Sequence, residues 1–329
     1  MPSVSATRAA PVTAAVVALA TIAACGSIGS DETETVVESV DLSGVEVTVG
    51  SKAFAEQELL GQITIEVLQA AGATVEDRTG LPSTSAARQA LESGATDMYW
   101  EYTGTGWLVI LGQPNPVSDP GEQYEAVAAK DRQENGIAWV APAPANNTYA
   151  IAVRNSASEG LTEVETLSDL GDLLQQSEEQ ATLCVASEFA NRPDGLPGLE
   201  RAYGWGLPAD NVITLDQEDL LYPAVAKGSV CNFGEVFRTD GRIDALDLRL
   251  LEDDEDFFAA YNPTLTMRQE LLDQYPELEE LFDPIAAVLD EQTLRELNTR
   301  VDVDNEPVAD VAQDFLEDEG FLTPQQLTR

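Results

Sequence analysis

The chain has 329 residues, with 17 Lys and Arg against 59 Asp and Glu, a formal net charge of −42 and no histidine. Such an acid excess disfavours nucleic-acid binding, which depends on neutralising phosphates with Lys and Arg; without His, Ser-His-Asp and Cys-His catalysis and His-based metal sites are excluded. At 43% hydrophobic content the chain is still globular, with length enough for about two domains.

Residues 1–25 read MPSVSATRAAPVTAAVVALATIAAC, with one basic residue, a short apolar run and a Cys. The run is too short to span a bilayer and has the small residues of a cleavable signal. Ile22-Ala23-Ala24-Cys25 resembles the bacterial lipobox, in which the Cys is diacylated and becomes the mature N-terminus. The expectation is a lipoprotein signal peptide over 1–24, lipidation at Cys25, and anchoring on the outer face of the cytoplasmic membrane. Residues 25–43, rich in Gly, Ser, Thr and acid, read as a flexible tether.

From Val45 short β-rich runs alternate with helical stretches: VEVTVG, a helix over 56–71, ATVEDR, a helix over 83–93, ATDMYWEY. In the first helix Leu60, Ile63, Val67, Leu68 and Ala71 share one face. This is the pattern of a largely parallel sheet with helices on its faces, whose ligands bind beyond the carboxyl ends of the strands. PAPANN (142–147) interrupts it. A second series follows: TYAIAVR, a helix over 168–176, ATLCVAS, a helix over 195–203, NVITL, a helix over 219–227, CNFGEVF. Cys184 and Cys231 lie near two of its strands. In an oxidising compartment they form either a disulfide or two buried thiols, and the disulfide is favoured. After Tyr261 the chain reads as helical and acidic to its end. The simplest packing is two α/β lobes: 44–145 with 262–329, and 146–261.

No phosphate-cradling loop or nucleophile elbow is present. The acid run from Glu252 to Asp256 reads as a solvated turn, and Asp302-Val303-Asp304-Asn305 lacks the Gly and distal Glu of an EF-hand. No catalytic residue, metal or cofactor is expected. What stands out are signatures at strand ends: Gly50-Ser51-Lys52-Ala53-Phe54-Ala55-Glu56-Gln57, with one of only three lysines; Ser83-Thr84-Ser85 at a helix start; Glu101-Tyr102-Thr103-Gly104-Thr105; Asn146-Asn147-Thr148-Tyr149; Glu188-Phe189-Ala190-Asn191-Arg192; and Phe237-Arg238-Thr239-Asp240-Gly241-Arg242.

These motifs, in this order from about Val45 to Leu322, resemble the solute-binding proteins of osmoprotectant ABC importers, the glycine betaine, carnitine and choline binders of the ProX/OpuC type. The resemblance implies a type II periplasmic-binding-protein bilobe, with the ligand between lobes and its trimethylammonium head in an aromatic cage. It places Tyr102, Tyr149, Phe237 and Tyr261 at the cage positions, Phe237 standing where the family usually has Tyr. Lys52 and Arg192 match its basic positions, Thr105 adds a donor, and Asn147 falls at the lobe crossing. A quaternary ammonium has no N–H to donate, so ring faces must recognise it; a betaine's carboxylate needs cations or N–H donors. The implied partners are such an osmolyte, an ABC permease and its ATPase, and the membrane through the lipid anchor only, for a monomer without nucleic acid. The two cations favour glycine betaine over choline. Rival readings are a binder of another zwitterion or amino acid, and an extracellular hydrolase with an acidic site.

Overall fold

A computed structural model of the chain describes residues 35–324 and 326, apart from 118, 159, 216, 218 and 219. The expected signal segment 1–24 and lipidation site Cys25 lie outside the described residues. Of the expected tether, residues 35–43 are described, and they dock on the first lobe. Val37, in a 3-10 turn, and Leu42 are buried in its core, and the Leu42 N–H donates to the Ala71 carbonyl. Val36 and Val40 pack partly buried against the same core, so four apolar side chains hold this stretch, which the average composition of the segment hides.

The first lobe opens with β1 (Glu46–Lys52), α1 (Ala55–Ala70) and β2 (Thr74–Leu81), then α2 (Thr84–Ser93) and β3 (Met98–Tyr102). The strands are parallel, with β1 between β2 and β3. Leu60, Ile63, Val67, Leu68 and Ala71 are all buried, joined by Leu59 and Ile65, so α1 is enclosed on more than its amphipathic face. A π-helical turn, Thr105–Ile110, is followed by α3 (Pro120–Asn135) and β4 (Ile137–Pro142).

The chain then crosses to a second sheet. In order these elements are β5 (Tyr149–Arg154), α4 (Leu167–Gln176), β6 (Leu183–Ala186), α5 (Ser187–Asn191), α6 (Leu196–Tyr203), β7 (Val212–Leu215), α7 (Leu221–Lys227), β8 (Phe233–Phe237), α8 (Arg242–Ala245) and β9 (Leu248–Leu250). The strand order is β7-β6-β8-β5-β9, with β5 antiparallel to both neighbours. Cys184 on β6 is disulfide-bonded to Cys231, two residues before β8, with 5.7 Å between Cα atoms.

A second crossing returns the chain as β10 (Pro263–Arg268), followed by α9 (Gln269–Gln274), α10 (Glu277–Ala287), α11 (Glu291–Asp302) and α12 (Val308–Asp318). Here the structure corrects the sequence reading, which made everything after Tyr261 helical. β10 lies between β3 and β4, antiparallel to both, giving the order β2-β1-β3-β10-β4. Its Pro263 is tolerated as the first residue of a strand, and Thr264, Leu265, Thr266 and Met267 are buried. Each sheet is thus mixed: both crossings deliver an antiparallel strand to an otherwise parallel set.

The two crossings are stapled together. Asn147 N–H donates to the Tyr261 carbonyl at 3.1 Å, Tyr261 N–H to Asn146 Oδ1 at 2.8 Å, and Asn262 Nδ2 to the Ala145 carbonyl at 2.9 Å. Among the described residues no helix is long and apolar enough to cross a membrane.

Candidate ligand-binding site

A cavity of about 400 Å³ opens between the two sheets, within the usual range for small-molecule sites. Its wall is made where strands end and the crossings begin. Lys52 closes β1; Phe54 follows it as the residue capping α1; Tyr102 closes β3, and Thr105 starts the π-helical turn. From the other side come Tyr149 at the start of β5, Phe237 at the end of β8 opposite it in register, and Arg192 just after α5. The crossings themselves supply Asn147 and Tyr261. The structure therefore brings Lys52, Tyr102, Thr105, Asn147, Tyr149, Arg192, Phe237 and Tyr261 to one cavity.

Five rings form a continuous wall. Phe54 lies 5.4 Å from Phe237 and 6.3 Å from Tyr102 between centroids; Tyr149 lies 5.3 Å from Phe237 and 5.7 Å from Tyr261. Phe54 is the ring that sequence reasoning missed, although it stands two residues from Lys52 in the same motif. The Tyr261 ring sits so close to Gly104 that a Cβ there would meet its Cε1 at 2.7 Å and the Ala260 carbonyl at 2.8 Å. That close approach explains the glycine after Tyr102-Thr103.

Both cations are already paired. Lys52 Nζ bonds Glu101 at 2.7 Å and lies 4.7 Å from the centroid of the Tyr102 ring. Arg192 grips Asp194 with two nitrogens, at 2.9 and 2.6 Å, stands over the Tyr149 ring at 5.4 Å, reaches Thr105 Oγ1 at 3.4 Å and faces Glu188 at 3.6 Å. Burial alone would raise the Asp194 carboxyl, but Arg192 and the Tyr261 hydroxyl, which donates at 2.6 Å, hold it below its ordinary value. Glu188 also accepts from the Thr84 N–H at 3.3 Å, so a second-lobe carboxylate sits at the start of α2.

A further carboxylate, Glu56 in the first turn of α1, lies behind the wall and accepts hydrogen bonds from Tyr102, Asn147, Thr239 and Asn298. Burial pushes it above the ordinary carboxylate range against the pull of those four donors. Burial and the Glu56 charge together push the Tyr102 hydroxyl up, so it remains a donor. Two cations and four carboxylates, Glu56, Glu101, Glu188 and Asp194, thus surround the cavity. Glu188 and Asp194 stand beside Arg192 in the sequence as its alternative structural partners, whereas Glu56 and Glu101 escape notice as charges because 59 acids make any one coincidental.

Two α/β lobes joined by a double crossing, with an aromatic cavity between them, define a bilobed solute-binding protein. A profile described as the substrate-binding domain of ABC-type glycine betaine transport systems matches residues 45–318. The chain is 38% identical over 283 residues to a glycine-betaine-binding protein of Pseudomonas aeruginosa, covering 84% of this chain and 89% of that one. It is 34% identical to the glycine betaine-binding protein YehZ of Escherichia coli, covering 84% and 91%. The solved structure of apo YehZ superposes with a TM-score of 0.63 over 84% of this chain and 99% of that one. A glycine betaine/carnitine/choline ABC transporter structure, 25% identical, gives 0.67 over 84% and 98%. The chain belongs to the family of substrate-binding domains of ABC-type glycine betaine transport systems, and is an extracytoplasmic osmolyte-binding protein rather than an enzyme.

Proposed function

We propose that the protein holds a quaternary-ammonium compatible solute, glycine betaine or a close relative, in the aromatic cavity, closes its lobes over it, and delivers it to an ABC permease driven by its ATPase while anchored through a diacylated Cys25. The observation that carries this reading is the cavity wall: Tyr102 from the first lobe, Tyr149 and Phe237 from the second, and Tyr261 from the crossing, with Phe54 completing it. Ring faces attract a methylated ammonium without needing a donor, each contributing about 0.5 to 2 kcal/mol. Lobes 44–145 with 262–329 and 146–261 then move as hinged bodies about the stapled crossings. Arg192, Lys52 and Thr105 face the ligand's carboxylate, Asn147 lies beside its head, and the protein acts as a monomer.

Calorimetry with glycine betaine tests the cage. Tyr102→Ala and Tyr149→Ala should each weaken binding, roughly two- to thirtyfold for one ring. Unchanged affinity in both removes the cage from the reading. A second reading, choline, is favoured by the surplus of carboxylates over cations around the cavity. A thermal-shift panel of glycine betaine, proline betaine, carnitine, choline and ectoine separates them, since a ligand at 100 times its Kd stabilises by about 2.7 kcal/mol.

A further inference from the structure

Glu56 is 3% exposed and accepts four short hydrogen bonds: on Oε1 from the Tyr102 hydroxyl and Asn147 Nδ2, both at 2.7 Å, and on Oε2 from Thr239 Oγ1 at 2.6 Å and Asn298 Nδ2 at 2.8 Å. The donors come from the end of β3, the first crossing, the segment after β8, and α11. None of the four carries a charge. Glu101 and Asp194, by contrast, each face a cation. The bonds satisfy the oxygens of Glu56 without cancelling its negative field, which in a poorly polarisable interior extends well beyond contact distance.

Two of the four donors are cavity wall. Tyr102, by donating its hydroxyl proton toward a carboxylate, gains electron density in the ring, which strengthens the attraction of its face for a cation. A cation, the Lys52 ammonium, already stands over this ring at 4.7 Å from its centroid. Asn147 is turned by the same carboxylate: with Nδ2 committed to Glu56, its Oδ1 is left buried without a hydrogen-bond partner. An electron-rich ring and an amide whose orientation the same anion fixes thus both line the cavity.

We infer that Glu56 is the positioning residue that gives the cavity its preference for a quaternary ammonium over an uncharged group of the same shape, acting as counter-charge through Tyr102 and Asn147. This rests on the aromatic-cage reading above. A merely structural Glu56 would hold the walls equally well for a cation and for its neutral isostere; a counter-charge would favour only the cation.

The pair of ligands that separates these roles is glycine betaine and 3,3-dimethylbutyrate, in which carbon replaces the charged nitrogen while shape and carboxylate are kept. Their affinities are compared at pH 8 in wild type, Glu56→Gln and Tyr102→Phe, each checked for folding by circular dichroism. Gln retains an acceptor for Tyr102 and Asn147; the Thr239 hydroxyl can turn to accept from its amide, and Asn298 can present its unpartnered Oδ1 by turning its amide over, giving up the Nδ2 bond to the Thr239 carbonyl. Glu56→Gln is expected to lower the betaine-to-dimethylbutyrate ratio at least tenfold, about 1.4 kcal/mol, and Tyr102→Phe, which cuts one of two links, by about threefold. If Glu56→Gln weakens both ligands equally and leaves the ratio unchanged, the inference is overturned while the cage stands. Should Glu56→Gln not fold, an unchanged ratio in Tyr102→Phe overturns it. Wild-type protein with no preference for betaine overturns the cage reading and this inference together.

Discussion

At the scale of single residues, the site is ordered by groups that never reach the cavity. Gly104 contributes only the lack of a side chain, yet Tyr261 depends on that space. Gly104→Ala is expected to displace the ring, lower stability by about 1 to 3 kcal/mol, and weaken ligand binding; unchanged melting and affinity would show that the ring shifts freely. Asp194 fixes Arg192 and Tyr261 together. Removing one partner of such a buried pair costs about 3 to 5 kcal/mol, so Asp194→Asn should lower Tm clearly. Because the folded-state value of Asp194 lies below its ordinary one, its stabilisation is present above the ordinary carboxylate range and is lost as pH falls through the lowered value. The Tm gap between wild type and Asp194→Asn should therefore hold from neutral pH to about pH 5 and shrink in stronger acid; a gap unchanged in strong acid would contradict the ionised pair.

At the scale of elements, the disulfide joins β6 to the segment entering β8, neighbours in one sheet. It closes a loop of 47 residues in sequence separation, for which chain entropy gives about 4 kcal/mol. Replacing both Cys184 and Cys231 with Ser should lower Tm accordingly, and an unchanged Tm would mean the pair carries no stabilisation. The alternation of short strands and helices was legible because α1 and its neighbours obey simple periodicities: the face of Leu60, Ile63, Val67 and Leu68 is buried as its spacing predicts. β10 was not legible. Its Thr264 and Thr266 are buried although polar, since both faces of a central strand are covered, and its leading Pro263 reads as a break. The site divides in the same way. Lys52 identifies itself by its rarity within a motif, and the resemblance places Tyr102, Arg192 and Tyr261. Asp194 is legible only as one of two acids, with Glu188, near enough in sequence to pair with Arg192, while Glu56 and Glu101 are camouflaged by an acidic chain until their partners reveal them.

For the whole molecule, the charge of −42 is self-repulsion that salt relieves. Screening shortens from roughly 10 Å at 0.1 M to about 3 Å at 1 M, so Tm should rise over that range of sodium chloride. A fall would mean that specific ion pairs outweigh the repulsion. The order of strands carries a different consequence, for the time course of assembly. The second sheet is built from one uninterrupted stretch of chain, but the first needs β10, which arrives only after every strand of the second. A chain emerging from its N-terminus can pair all of the second sheet while β3 and β4 still have open edges over Trp100 and Trp139. The lobe begun first is finished last, and a product truncated before Pro263 would present those unpaired edges to its neighbours as templates for aggregation.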